Sequence, residues 1–319
     1  MQYRTLYENE LDKWFHFLIE DVFVGAPLSY FKREWDNDPY RDINSIFVAV
    51  DSNGAIVSGV RVFIREIYLN GKAIKTGGIG SVGTREDQRK QGLSSALFEL
   101  CIGFMEKNDI CVSYLLCGEQ NEKHYNRYNY KSCRYLKKIS KIEKNIPYRR
   151  TYNIRDVDFN KDIKTLSDMY QNFSSKYNGS PVRSTDYWKQ WVASFGYNKY
   201  LIAEDNEGNP IAYLNVDLDG TRLFVFDFAF LPEYDDIFDS FISRVRGSIS
   251  EELIDAQYQI PILSGLHVDE YVENCLVMYK LIKPFHNQNN LMGNTDELVE
   301  TLQGTDSQSR LLLWEVDDI

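Results

Sequence analysis

Apolar residues recur at helical spacing over residues 6–20, at Leu11, Trp14, Phe15, Leu18 and Ile19, which predicts an N-terminal helix. A loop marked by Gly25 and Pro27 follows, then a short helix over 29–35 that ends before Pro39. The next stretch, SIFVAVDSNGAIVSGVRVFIREIYLNGKAIKTGGIGSVGT, reads as strands joined by turns at Asn53-Gly54 and Asn70-Gly71. Its last strand is expected over 75–84. From Gln91 to Lys107 the positions Leu93, Leu97, Leu100 and Phe104 return to helical spacing. Residues 110–116, ICVSYLL, read as a buried strand, followed by a short helix around 121–128 and a strand around 131–142. Strands alternating with helices predict a mixed α/β (α+β) fold.

The same pattern returns later in the chain. LIAEDNEGNPIAY (201–213) aligns with FVAVDSNGAIVSG (47–59) at a constant offset, matching Ala203 to Ala49, Asp205 to Asp51 and Gly208 to Gly54. Each strand–turn–strand unit follows an aromatic-rich helical stretch, 6–35 in one case and 162–195 in the other. This is compatible with two tandem copies of one fold, the alternative being two unrelated β-hairpins. The expected division is 1–147, 148–286 and a C-terminal tail 287–319, with a linker near 145–155. The tail is rich in Asn and Gln at first, then holds a helix and the apolar strand LLLWEV. At 319 residues two domains are the prior, and 43% hydrophobic residues with 40 Tyr plus Phe supply their cores.

The net charge of -11 disfavours a nucleic-acid partner, because a phosphate backbone demands a basic face. It fits cationic substrates such as amines, although acidity also serves solubility alone. The five cysteines (Cys101, Cys111, Cys117, Cys133, Cys275) are odd in number and scattered, with no zinc spacing, so no metal is expected and a reduced cytoplasmic protein is the simpler reading. The N-terminal residues carry no secretory pattern, and no run of about 18 apolar residues is present, so no membrane partner is expected. Oligomerisation is left open.

Chemistry concentrates in GSVGTREDQRKQGLSSALFEL, residues 80–100. A strand ends there, a polar turn follows, and a helix begins near Gly92. The unpaired N–H groups of a helix start can hold a pyrophosphate. Arg89 and Lys90 add cationic charge at a position where the helix dipole disfavours it, which is easier to understand if an anion binds. Gly92 lets the backbone approach a ligand closely.

Arg89-Lys90-Gln91-Gly92-Leu93-Ser94 resembles the Q/R-x-x-G-x-G/A motif of the GNAT superfamily, with Ser in the last place. A second segment, HYNRYNY (124–130), resembles the FYxxxGF-type segment after the family's fifth strand, with Asn129 in place of Gly and Tyr130 in place of Phe. The resemblance covers residues 1–145. It implies the GNAT fold, a mixed central sheet flanked by helices, and acetyl-coenzyme A as co-substrate. It implies that Arg89, Lys90, Gln91, Gly92, Leu93 and Ser94 bind the pyrophosphate. Ser81, Val82 and Thr84 would lie along the pantetheine arm, the N–H of Val82 or a neighbour polarising the thioester carbonyl. Tyr125 takes the place of the tyrosine that protonates the departing thiolate. The base that deprotonates the amine is unassigned; Glu119, Glu20 and Asp21 are candidates by location only.

YNGSPVRSTDYWKQWV (177–192) resembles the start of a degenerate second GNAT domain in two-domain proteins of the enhanced-intracellular-survival type. Such proteins usually add a sterol-carrier-like third domain, and 319 residues leave no room for a full one. Whether the role of base that their C-terminal carboxylate can serve passes to Ile319 is therefore left open. In the second copy the turn after LFVFDFAFL holds Glu233, Asp235, Asp236 and Asp239, whose charge repels a pyrophosphate. The expected activity is acetyl transfer to a primary amine of a small molecule or peptide. The alternatives are an inactive acyl-coenzyme A-binding module and an acyltransferase that uses a longer acyl chain.

Overall fold

The structure is a computed structural model that describes residues 1–133, 135–144, 152–194, 199–259, 262, 264–273, 276–287, 290–305, 308–309 and 311–317. Most of the expected linker, Cys275 and Ile319 lie outside these residues.

The chain begins with strand β1 (Gln2–Thr5), helices α1 (Leu11–Phe17) and α2 (Leu28–Asp36), and strands β2 (Ile46–Val50), β3 (Ile56–Leu69) and β4 (Lys72–Thr84). Helix α3 (Leu93–Lys107), strand β5 (Val112–Cys117), the one-turn helix α4 (Glu122–Asn126) and strands β6 (Lys131–Cys133) and β7 (Leu136–Glu143) follow. Next come β8 (Asn153–Asp156), α5 (Ile163–Ser174), α6 (Thr185–Gln190), β9 (Lys199–Glu204), β10 (Pro210–Asp219) and β11 (Arg222–Phe230). The last elements used below are α7 (Ile237–Arg246), β12 (Leu253–Gln259), β13 (Glu270–Glu273), β14 (Leu276–Leu281) and α8 (Thr295–Gln303).

Among the described residues these strands build two seven-stranded mixed sheets flanked by helices, ordered β1-β2-β3-β4-β5-β14-β6 and β13-β7-β12-β11-β10-β9-β8. The sequence repeat has a direct physical counterpart. At the β2–β3 turn Asp51 accepts from the N–H groups of Asn53 and Ala55, both at 2.9 Å, and Gly54 takes φ +79. At the β9–β10 turn Asp205 accepts from Glu207 (2.9 Å) and Asn209 (2.8 Å), and Gly208 takes φ +83. The same side-chain-capped turn thus starts the same hairpin in both sheets.

The two sheets exchange one strand each across the expected boundary at 147. Strand β7 sits between β12 and β13 of the second sheet, and β14 sits between β5 and β6 of the first. The single strand expected over 131–142 is therefore two strands in two sheets. A strand can read as one run of residues while its ends pair with different partners, because pairing is set by tertiary neighbours.

Helices α1 and α2 cover one face of the first sheet, where Trp14, Phe17, Phe31, Ile46 and Val48 are buried together. Helix α3 covers the other face through Leu93, Leu97, Phe98, Cys101 and Met105. Two buried ionic clusters lie on the α1/α2 side of the first sheet and in the core of the second. Asp38 accepts from Arg61 (2.7 Å) and Arg65 (3.0 Å), under the rings of Trp35, Tyr187 and Trp191. Arg183 donates to Asp227 (2.5 Å) and Asp317 (2.7 Å) against Tyr170 and Trp188.

The segment 179–182 runs along the outer edge of β3, with Tyr68 N–H to Ser180 O at 2.8 Å and Val182 N–H to Glu66 O at 2.7 Å. The LLLWEV stretch forms no continuous strand. Leu311 makes one bridge with Asn178, Trp314 is buried, and Glu315–Asp317 is a short 3-10 turn that brings Asp317 to Arg183. Cys101, Cys111, Cys117 and Cys133 are free thiols. No helix among the described residues is long and apolar enough to cross a membrane.

Candidate active site

Strand β4 pairs with β5 in parallel only from Thr76↔Val112 to Ile79↔Leu115. Beyond these pairs the strands part, β4 running on to Thr84 and β5 to Cys117. The cause lies in β4. Its register with β3 slips between Gly59↔Gly83 and Arg61↔Gly80, and Ser81 adopts φ +51, so Ser81 and Val82 form a bulge. Bulges bend a strand and end pairing, and they favour active sites. The result leaves the main chain of Ser81, Val82 and Thr84 facing a cleft between two strands of one sheet.

The outer wall of β4 is closed by a π-helical turn, Leu18–Val22, that continues α1. A Cβ on Gly83 would stand 2.2 Å from Val22 Cγ2, so only glycine allows this turn to rest on the strand. Asp21 in the turn has its pKa raised, first by burial, with Arg85 opposing.

At the far end of the cleft the chain turns into α3. Lys90 takes φ +64 and Gly92, the residue before the helix, φ +79. No side chain caps the helix start and its first turn holds no acid, so the amides of Leu93, Ser94 and Ser95 lack intrahelical partners. The nearby Asp87 is occupied by Arg85 at 2.6 and 3.0 Å, which holds its carboxyl down at about 2. Ser94 Oγ is buried with no hydrogen-bond partner, and a Cβ on Gly92 would meet no atom within 4 Å. Arg89, Lys90 and Gln91 are exposed around this opening, with Arg89 Nε donating to Thr84 O at 3.2 Å and Gln91 to Gln88 at 3.3 Å. Uncapped amides, an orphaned hydroxyl, open space and two cationic side chains fit a pyrophosphate.

Tyr125 lies on α4, 9% exposed, its ring 5.7 Å from Phe98 of α3 and 6.3 Å from Tyr130. Among the described residues nothing hydrogen-bonds its hydroxyl. Burial, with smaller contributions from Cys117 and Tyr128, raises its pKa to about 12. Tyr130 is fully buried, and its hydroxyl shares a 2.7 Å hydrogen bond with Ser113, which donates to Gly77 O at 2.8 Å. Asn129 takes φ +63, the left-handed conformation its short polar side chain tolerates. Tyr128 stacks on Phe98 at 4.7 Å and donates to Ser95 Oγ at 2.7 Å, tying the tyrosine segment to the first turn of α3.

The residues singled out in the sequence thus gather on three neighbouring elements, the bulged end of β4, the start of α3 and α4. Val22, Gly83 and Ser113 were missed. Their role is to fix backbone placement, and no local motif marks it. Of the candidate bases, Glu119 and Glu20 are exposed and Asp21 is half-buried.

The second sheet repeats the scheme with a different filling. β11 and β12 pair in parallel from Arg222↔Asp255 to Phe224↔Gln257 and then part. Near the start of α7, Asp239 accepts from Ser264 Oγ (2.7 Å) and Gly265 N–H (2.9 Å), and Asp236 accepts from Tyr152 (3.0 Å). Ile262 is fully buried in the second core. Helix α7 likewise has no side-chain cap, but carboxylates stand at its start, where α3 has none, and a loop is bound to Asp239.

A bulged strand parting from its parallel neighbour beside an uncapped helix makes an open cleft in an α/β unit. Residues 2–133 match the family described as an acetyltransferase (GNAT) domain. That part of the chain is therefore similar to a GNAT acetyltransferase domain. No curated protein sequence matches it. Among solved structures, a probable N-acyltransferase from Enterococcus faecalis is 15% identical with a TM-score of 0.72, over 88% of this chain and 72% of that one. Eis1 from Mycobacterium abscessus is 14% identical with a TM-score of 0.64, over 88% and 74%. The N-myristoyltransferase of Saccharomyces cerevisiae, solved with myristoyl-CoA, is 9% identical with a TM-score of 0.56, over 87% and 81%. At these identities the likeness is one of fold, spanning both sheets.

Proposed function

We propose that this chain transfers an acetyl group from acetyl-coenzyme A to a primary amine of a small molecule or peptide, in the cleft between β4 and β5. The working unit is residues 1–147 closed by β14, followed by a second unit over 148–286 and the tail 287–319. The observation that carries the reading is the parting of β4 and β5 beside an uncapped helix start that holds an orphaned Ser94 hydroxyl.

When bound, acetyl-coenzyme A supplies an acyl group activated as a thioester. The amides of Leu93 and Ser94, the Ser94 hydroxyl and the side chains of Arg89, Lys90 and Gln91 would hold its pyrophosphate, with Gly92 leaving room. The main chain of Ser81, Val82 and Thr84 would line the pantetheine arm, and the Val82 N–H would polarise the carbonyl oxygen. Tyr125 would give its proton to the sulfur as the carbon–sulfur bond breaks, while the amine forms the new amide bond and loses a proton to water or a carboxylate. Positioning supplies much of the rate. The acidic chain, at -11, favours a cationic acceptor.

The test is release of coenzyme A thiol from acetyl-coenzyme A across a panel of primary amines. Amine-dependent release that falls in Tyr125→Phe supports the reading. Coenzyme binding with no amine-dependent release from any member of the panel would make the chain a binding module.

A further inference from the structure

Helix α4 is a single turn, too short to hold its own position in water. Anchors outside it must fix where Tyr125 stands, and two of them come from the far end of the chain. Lys280 of β14 donates from Nζ to the Tyr128 carbonyl at 2.6 Å, across 152 residues of sequence. Thr295, at the start of α8 and 3% exposed, accepts from Asn129 Nδ2 at 3.3 Å and from Leu281 N–H at 3.2 Å. Strand β14 is pinned on both sides, by β5 from Leu276↔Cys117 to Leu281↔Val112 and by β6 from Val277↔Cys133 to Tyr279↔Lys131. Its Met278 lies in the same buried cluster as Tyr125, Cys117 and Phe98.

We infer that Lys280 is a positioning residue for Tyr125. Held by the exchanged strand, its ammonium bonds the Tyr128 carbonyl in the turn after α4 and so fixes where the tyrosine stands, making the first unit's chemistry depend on the last third of the chain. A charge-assisted hydrogen bond from a half-buried lysine is stronger than a neutral one. The lysine's stem runs on the face of β14 that Met278 shares, so the strand's pairing sets the ammonium's height above the sheet. The acyl-transfer part of this inference rests on the function proposed above; the placement of Tyr125 does not.

The test separates the two. With ring-¹³C tyrosine, the Tyr125 resonance is assigned by its loss in Tyr125→Phe, then compared in wild type, Lys280→Met, Lys280→Arg and Thr295→Val. The expected result is a shifted or broadened Tyr125 signal in Lys280→Met, a smaller change in Thr295→Val, and return towards wild type in Lys280→Arg. In parallel kcat falls at least tenfold in Lys280→Met, while acetyl-coenzyme A affinity stays within about threefold. An unchanged Tyr125 signal in Lys280→Met overturns the inference, as does a loss of coenzyme binding equal to the loss of kcat. Should Lys280→Met fail to fold, Lys280→Gln, whose shorter side chain cannot reach the Tyr128 carbonyl, carries the same comparison, and a wild-type Tyr125 signal in it overturns the inference. A Tyr125 signal that responds to Lys280 in a protein with no amine-dependent turnover sinks the proposed function and leaves the placement standing.

Discussion

Tyr125 combines burial, a hydroxyl with no hydrogen-bond partner among the described residues, and a pKa raised to about 12. A general acid acts in its protonated form, so a raised pKa extends its working range upward from the ordinary phenol value of about 10. The expected outcome is that wild-type kcat shows no alkaline fall below about pH 11 that belongs to this residue, and that Tyr125→Phe lowers kcat about 10²–10⁴-fold with coenzyme affinity kept. Rates across pH 6–10.5 for both proteins check this. An alkaline limb near pH 9–10 that disappears in the variant contradicts it. Arg89, Gly92, Ser94 and Tyr125 stand out in the sequence because each belongs to a short pattern tied to a turn. The bulge at Ser81 and the contact of Val22 with Gly83 were not, since a left-handed serine and a π-turn leave no periodic signal in the sequence.

Among the elements, β14 is the one whose position the sequence conceals. Local patterning marked the helix from Leu93 and the strands ending at Thr84 and Cys117, because each buries a periodic apolar face. Nothing in LVMYKL says that it completes the first sheet instead of the second. Its place between β5 and β6 is set by pairing with strands remote in sequence. Residues 1–147 alone would leave the edge of β5 unpaired and the buried side chains of Leu115 and Cys117 without Met278. That fragment is expected to aggregate or to stay unfolded, with no acetyl-coenzyme A binding. Size-exclusion chromatography with thermal melting checks this. A soluble fragment with a cooperative transition and intact coenzyme affinity would show that β14 is dispensable.

At the scale of the whole molecule, the second unit and the tail meet in the core around Arg183, between Asp227 and Asp317. Burial, opposed by Arg183, raises the Asp227 pKa from 3.8 to about 6. The folded chain therefore keeps this proton to higher pH than the unfolded chain does. Its contribution to stability is fully present below about pH 4 and is lost as pH rises through about 6. The melting temperature of wild type relative to Asp227→Asn is expected to fall over that window. Parallel curves, or a wild type that gains on the variant as pH rises, contradict the assignment. The repeat at 47–59 and 201–213 made the double architecture legible, because turn chemistry at Asp51 and Asp205 is local. The clasp of Asp317 on Arg183 was not, since it joins residues 134 positions apart.

The two sheets carry the same scheme and neither α3 nor α7 has a side-chain cap, but α3 starts beside an orphaned hydroxyl and no acid, while Asp236 and Asp239 put negative charge at the start of α7. The central claim is one coenzyme site per chain, at Arg89–Ser94. Calorimetric titration with acetyl-coenzyme A tests it most directly. The account predicts a stoichiometry of one, with a micromolar dissociation constant worth about -8 kcal/mol, and loss of binding in the Arg89→Glu/Gly92→Glu double variant. No binding by the wild type, two sites per chain, or full affinity in the double variant would contradict it.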